Sequence, residues 1–248
     1  MRIAQAQVAV IFSQDNDIIL TLGSSLKKMQ EQYQGNVQVL NNIPEFVPPD
    51  VPRMVFNCAN FVVNVALMRI DIMINPPHHI CSDATKVFEY LDSLISSLND
   101  LLIKRNVQYE WTGLVLTFEF PKDEKRNIRS LEYFGPIFDK LINIKRHNKR
   151  MASFSFQYGF DESPFFVNYS INGYEKFNVT FPNIFHTAQT LPAVAQEITE
   201  AGIAITLDVN NRLQEQKVTF KEDFTSISSK VMSLYKTLLN DTGLRDFV

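Results

Sequence analysis

Residues 83–104 place Val87, Leu91, Leu94, Leu98 and Leu101 three or four positions apart. That spacing gathers them on one stripe of a long amphipathic helix. A stripe of this length cannot stay in water and must lie against a second layer. The preceding residues identify that layer. Apolar and β-branched runs at 53–58 and 61–75, closed by Asn75-Pro76-Pro77, read as antiparallel strands. The situation recurs at the end of the chain. Thr219 and Glu222 have the spacing of a capping box, followed by Phe224, Ile227, Val231, Leu234 and Leu238 on one helical face. Leu91, Leu94, Leu98, Val231, Leu234 and Leu238 are therefore expected in the core, beneath helices that cover one face of a sheet.

The other elements fit between these helices. Val8-Ala9-Val10-Ile11-Phe12 reads as a strand. Residues 17–33 switch to helical spacing (Ile19, Leu22, Leu26, Met29, Tyr33), and Gly35 is placed to end that helix. Pro44, Pro48, Pro49 and Pro52 mark an irregular connection, and Ser82 or Asp83 can cap the helix that opens at 83. Residues 108–120 alternate apolar and polar and end at Pro121, as a strand does. A helix opened by Ser130 follows, carrying Phe134, Ile137, Phe138 and Leu141. Strands are then expected at 151–159, 165–171 and 174–181, the last two joined by a hairpin turn at Asn172-Gly173, and another at Ile203–Val209.

Residues 1–105 and 106–248 thus each read strand, helix, antiparallel strands, long helix. The expected fold class is α+β: two similar halves, or one two-lobed domain, sharing one curved antiparallel sheet with helices on one face. Only the order of elements repeats; the residues do not. Two halves paired edge to edge would protect strand edges that otherwise invite association. Twenty phenylalanines against a single tryptophan suit such a sheet-rich interior.

Composition excludes several classes. Two cysteines, Cys58 and Cys81, make no disulfide framework, and Cys58, inside an apolar strand, reads as a small core side chain. The first residues lack a signal peptide's continuous apolar region. Asn64, Arg69 and Asp71 interrupt the most apolar stretch, 61–74, which is too short to span a bilayer. A cytosolic protein with no membrane role is expected.

Motifs for chemistry are absent. The chain has no G-x-x-x-x-G-K, no G-x-G-x-x-G and no G-x-S-x-G. His78, His79 and Cys81 lie together after Pro76-Pro77, but a metal would need further ligands, and a solvated loop that helps start the helix accounts for them. Asp161-Glu162 and Glu222-Asp223 suit a turn and a helix start. Asp208 is the acid of most interest, because it interrupts the apolar strand Ile205-Thr206-Leu207-Asp208-Val209. Its neighbours Leu207 and Val209 face the other way, so it points to solvent or into a concave sheet face. No catalytic residue, metal or cofactor is called for.

Charge gives the main pointer to a partner. Residues 122–150 hold nine basic and four acidic side chains, a net +5 in a chain of net −3, which leaves −8 on the remainder. Lys122 and Arg126 stand at one end of the segment, and Lys145, Arg146, Lys149 and Arg150 at the other. Such a patch can receive an acidic protein surface, a second copy of the chain, an anionic ligand or a nucleic-acid backbone. A sequence pI near 5.8, without aromatic stacking positions visibly interleaved with the basic residues, argues against dedicated nucleic-acid binding.

The length, the opening strand and helix, the Ile205–Val209 strand and the closing helix resemble a sporadically distributed, uncharacterised bacterial family of about 250 residues. That resemblance carries over no functional residue. Its patchy distribution implies an accessory component of a mobile-element or phage-defence system. The expected function is a non-catalytic interaction or ligand-sensing protein acting through a protein partner or self-association. The alternatives are a nucleic-acid or nucleotide binder using residues 122–150, and an enzyme whose site forms no sequence motif.

Overall fold

A computed structural model describes residues 1–40, 43–44, 46–104, 109–121, 155–179, 196–215 and 219–242. Nine strands form one antiparallel sheet: β1 (Arg2–Phe12), β2 (Asn36–Val39), β3 (Met54–Asn57), β4 (Phe61–Val65), β5 (Arg69–Ile74), β6 (Tyr109–Pro121), β7 (Ser155–Glu162), β8 (Phe165–Val179) and β9 (Gln196–Asn210). Their order is β2-β3-β4-β5-β1-β6-β9-β8-β7. β1 and β6 pair near the middle of the sheet, with Val8 opposite Leu114. Three described helices accompany the sheet: α1 (Ile18–Tyr33), α2 (Ala84–Lys104) and α3 (Phe220–Thr242).

Strict alternation decides which sheet face is covered. Ala6, Val8 and Val10 of β1, Leu114, Leu116 and Phe118 of β6, and Ile203, Ile205, Leu207 and Val209 of β9 are all buried. They join the stripes of all three helices in one continuous core. Leu22 and Leu26 come from α1, Leu91, Leu94 and Leu98 from α2, and Ile227 and Val231 from α3. Phe118 stacks on Tyr235 of α3 with ring centroids 4.6 Å apart, which fixes that helix over the middle of the sheet. All three described helices therefore lie on one face, and the core extends to both sides of the β1–β6 pair.

The helix starts follow their capping chemistry. Asp83 Oδ1 accepts the Thr85 and Lys86 amides at 3.0 and 3.3 Å. At α3 the Glu222 amide donates to Thr219 Oγ1 at 3.3 Å, while the Thr219 amide donates back to Glu222 Oε2 at 3.0 Å. Thr219→Ala should cost about 1 kcal/mol, read as a lower urea midpoint with an unchanged slope.

Several expectations need correction. Residues 61–75 are not one strand: β4 and β5 form a hairpin through Leu67-Met68, closed by the Ala66 amide on Arg69 O at 2.8 Å. Asn172-Gly173 is not a turn. It lies inside the continuous strand β8, with Asn172 opposite both Ser155 and Ala204 and Gly173 opposite Ile203. Strands on both sides pair with Asn172 and β9 pairs with Gly173, which holds the dipeptide extended, and the β7–β8 reversal falls at Ser163-Pro164, whose peptide bond is cis. Gly35 does not adopt the left-handed conformation that ends α1; Gln34 does, with φ 53°. Gly35 is needed for space, because a Cβ there would stand 2.3 Å from the Phe56 ring and 2.7 Å from Asn57 O. Leu234 is only half-buried, and Tyr235 takes its place in the stripe. The helix expected after Ser130 lies outside the described residues.

Candidate functional site

With the helices on one side, the other set of alternating side chains forms a face that no described helix covers. Register aligns its rows. Gln7 of β1 lies opposite Val115 of β6, Val115 opposite Asp208 of β9, and Asp208 opposite Asn168 of β8. The next row runs Gln5, Thr117, Thr206, Ser170. Among these, Gln5 is exposed and the rest half-buried, whereas their neighbours on the helix side are almost fully buried. The middle of this face is thus built mainly from neutral amides and hydroxyls. Thr117 and Thr206 share a 3.2 Å hydrogen bond, and Asn172 Nδ2 donates to Ser170 Oγ at 2.6 Å.

Two carboxylates on this face have opposite surroundings. Asp71 is held on both oxygens by Arg69, at 2.6 and 2.7 Å, and also accepts Gln7 Nε2 at 3.0 Å. Asp208 has no ion pair among the described residues and accepts one long hydrogen bond, from Asn210 Nδ2 at 3.4 Å. Burial pushes the Asp208 carboxyl above the usual range, against the opposing pull of Asn210 and the Arg212 charge. Around it stand large contact groups. Arg212 lies over the Phe166 ring, 3.5 Å from its centroid, and half-buried Trp111 occupies the same face opposite Ile11.

The far end of this face is charged. Arg2 donates to Glu119 and Glu200, and Lys176 Nζ lies 2.8 and 3.2 Å from the same two carboxylates. Tyr174 OH adds a 3.1 Å bond to Glu200. The two bases hold the Glu200 carboxyl below its usual range despite its burial. The cluster lines a cavity of about 390 Å³ whose other wall includes Ala4, Pro76, His78 and Cys81.

Of the residues singled out in the sequence, Asp208 lies at the centre of the uncovered face. Lys122, Arg126, Lys145, Arg146, Lys149 and Arg150 lie outside the described residues. His78 and His79 are exposed, while Cys81 is buried, its Sγ donating to His78 O at 3.3 Å. Cys58 is half-buried and donates to Tyr33 O at 2.8 Å. Among the described residues, no group of three His, Cys, Asp or Glu side chains could hold a metal ion. No described helix is long and apolar enough to cross a membrane.

Sequence reasoning missed the charged cluster because its members, at positions 2, 119, 176 and 200, meet only through sheet register. Comparison with protein-family models gives no match to this chain, and comparison with curated proteins gives none either.

Proposed function

We propose that the protein is a non-catalytic interaction module that receives a protein partner on the uncovered face of its sheet. The observation that carries this reading is Asp208. Leaving a half-buried carboxylate without an ion pair among the described residues is costly, and the Asn210 hydrogen bond and the Arg212 charge offset only part of that cost. A partner donating backbone or side-chain N–H groups would satisfy it. Trp111 and Arg212 on the same face are residue types that carry much of the energy at protein interfaces. Neutral amides and hydroxyls between them suit recognition of polar groups more than of phosphate.

An internal duplication belongs to the same reading. From the middle of the sheet outward, one side runs β1, β5, β4, β3 and then β2, and the other β6, β9, β8, β7, so the first four strands of each follow the same order. That shared order supports descent of both halves from one strand-helix-strands-helix unit. It would place Asp208 of β9 and Asp71 of β5 on corresponding strands.

The test is to block the face. Candidate partners captured on the wild-type chain are purified and titrated by calorimetry against Thr206→Arg, in the middle of the face, and Ser226→Arg, exposed on α3. Thr206→Arg should lose about tenfold or more in affinity and Ser226→Arg should bind as wild type. Wild-type affinity in Thr206→Arg would overturn the proposal. If only reversal of Lys145, Arg146, Lys149 and Arg150 to Glu abolished binding, recognition would belong to the basic segment.

A further inference from the structure

The charged cavity at the end of the uncovered face is a more specific feature than the face itself, and it makes sense independently of the protein-partner reading. Two cations and two anions converge there, so the cluster is neutral as a whole. Each carboxylate takes its hydrogen bonds on a single oxygen: Glu119 on Oε2 and Glu200 on Oε1. Among the described residues, Glu119 Oε1, Glu200 Oε2 and Arg2 Nη1 make no hydrogen bond. The four charges are therefore paired with one another, yet still offer a donor and two acceptors of opposite charge. They line open space rather than fill it.

We propose that this cavity binds a small zwitterion of the α-amino-acid class. Its carboxylate would be received by Arg2 and Lys176, and its ammonium by the second oxygens of Glu119 and Glu200. Electrostatics selects this class. A simple anion entering the cavity would meet two carboxylates already engaged with Arg2 and Lys176. A simple cation would meet the reverse. Either would leave one net charge in a partly desolvated cluster, which is unfavourable. A zwitterion inserts opposite charges together and keeps the cluster neutral. A cavity of about 390 Å³ has room for a free amino acid with a sizeable side chain, which would run along the wall at Ala4 and His78.

The experiment uses the full chain. Free L-α-amino acids are titrated by calorimetry and by thermal shift, with sodium acetate and ethylammonium chloride as single-charge controls. One or more amino acids should bind saturably below about 10 mM, with no response to either control. Lys176→Met, which changes the most exposed member of the cluster, should weaken binding at least about tenfold. Ala4→Phe, which fills the cavity without touching a charge, should abolish it. Asp208→Asn should leave amino-acid binding at its wild-type value, which separates this site from the protein-binding surface. The inference is overturned if no amino acid binds, if acetate or ethylammonium alone binds as well, or if Lys176→Met and Ala4→Phe both fold and bind like wild type.

Discussion

Phe118→Ala should destabilise the protein by about 3–5 kcal/mol, the cost of emptying a large buried aromatic site. Phe118 is 0% exposed, sits in the middle strand pair and stacks on Tyr235, so its loss opens a cavity where sheet and α3 meet. Thermal unfolding should drop by roughly 6–20 °C, given about 2–4 °C per kcal/mol for a chain of this size. The adjacent residue supplies the contrast. Thr117 is one position away on the same strand but faces the uncovered side, where it makes one hydrogen bond, to Thr206. Thr117→Ala should cost under about 1 kcal/mol. Together the two substitutions test which face of β6 the helices cover. Equal losses, or a wild-type melting point for Phe118→Ala, would mean that the assignment of faces is wrong.

What the sequence reveals of this fold follows the range over which each signal acts. Helical stripes and capping pairs are local. The periods at Leu91-Leu94-Leu98 and Ile227-Val231 and the Thr219–Glu222 box correspond to buried faces and an observed cap. Turns are legible only when the turn residues carry the information. The β4–β5 reversal at Leu67-Met68 has no Gly, Pro or Asn, and its backbone partners, Pro49, Asp15 and Phe12, are distant in sequence, so a continuous apolar run conceals it. Asn172-Gly173 shows the converse. A dipeptide that favours a hairpin in isolation is overridden where neighbouring strands offer backbone partners, β7 and β9 to Asn172 and β9 to Gly173. Tyr235 replaces Leu234 in the core because the helical period admits either position, and the Phe118 ring lies beneath Tyr235.

The candidate site divides in the same way. Asp208 could be singled out from sequence because a lone acid in an apolar strand is a local anomaly. Its contrast with Asp71 could not be seen, since it depends on Arg69 and Gln7 reaching one carboxylate while, among the described residues, only Asn210 donates to the other. The Arg2–Glu119–Lys176–Glu200 cluster is assembled entirely by register among β1, β6, β8 and β9.

Asp208→Asn should move stability and binding in opposite directions, which a purely structural residue would not do. Burial raises the carboxyl above its ordinary value of 3.8 in the folded chain. Between that value and the raised one, the folded state binds more protons than the unfolded state, so stability falls as pH rises through this window. Above the window the full penalty of holding the charged form is present; below 3.8 it is gone. Asparagine keeps an oxygen to accept the Asn210 amide but carries no charge to desolvate. The variant should therefore melt above wild type at pH 7, with the difference vanishing in strongly acidic buffer. Asp71→Asn is the control of opposite sign, because it removes a carboxylate that Arg69 and Gln7 already hold, and it should melt below wild type at pH 7. If Asp208 is retained for recognition, the more stable Asp208→Asn variant should bind its protein partner about tenfold or more weakly, since a buried donor on the partner loses a charged acceptor. A variant more stable than wild type that binds equally well would show that this carboxylate serves neither the fold nor the interface. A variant that is less stable at pH 7 would show that Asp208 has a counter-ion in the folded chain.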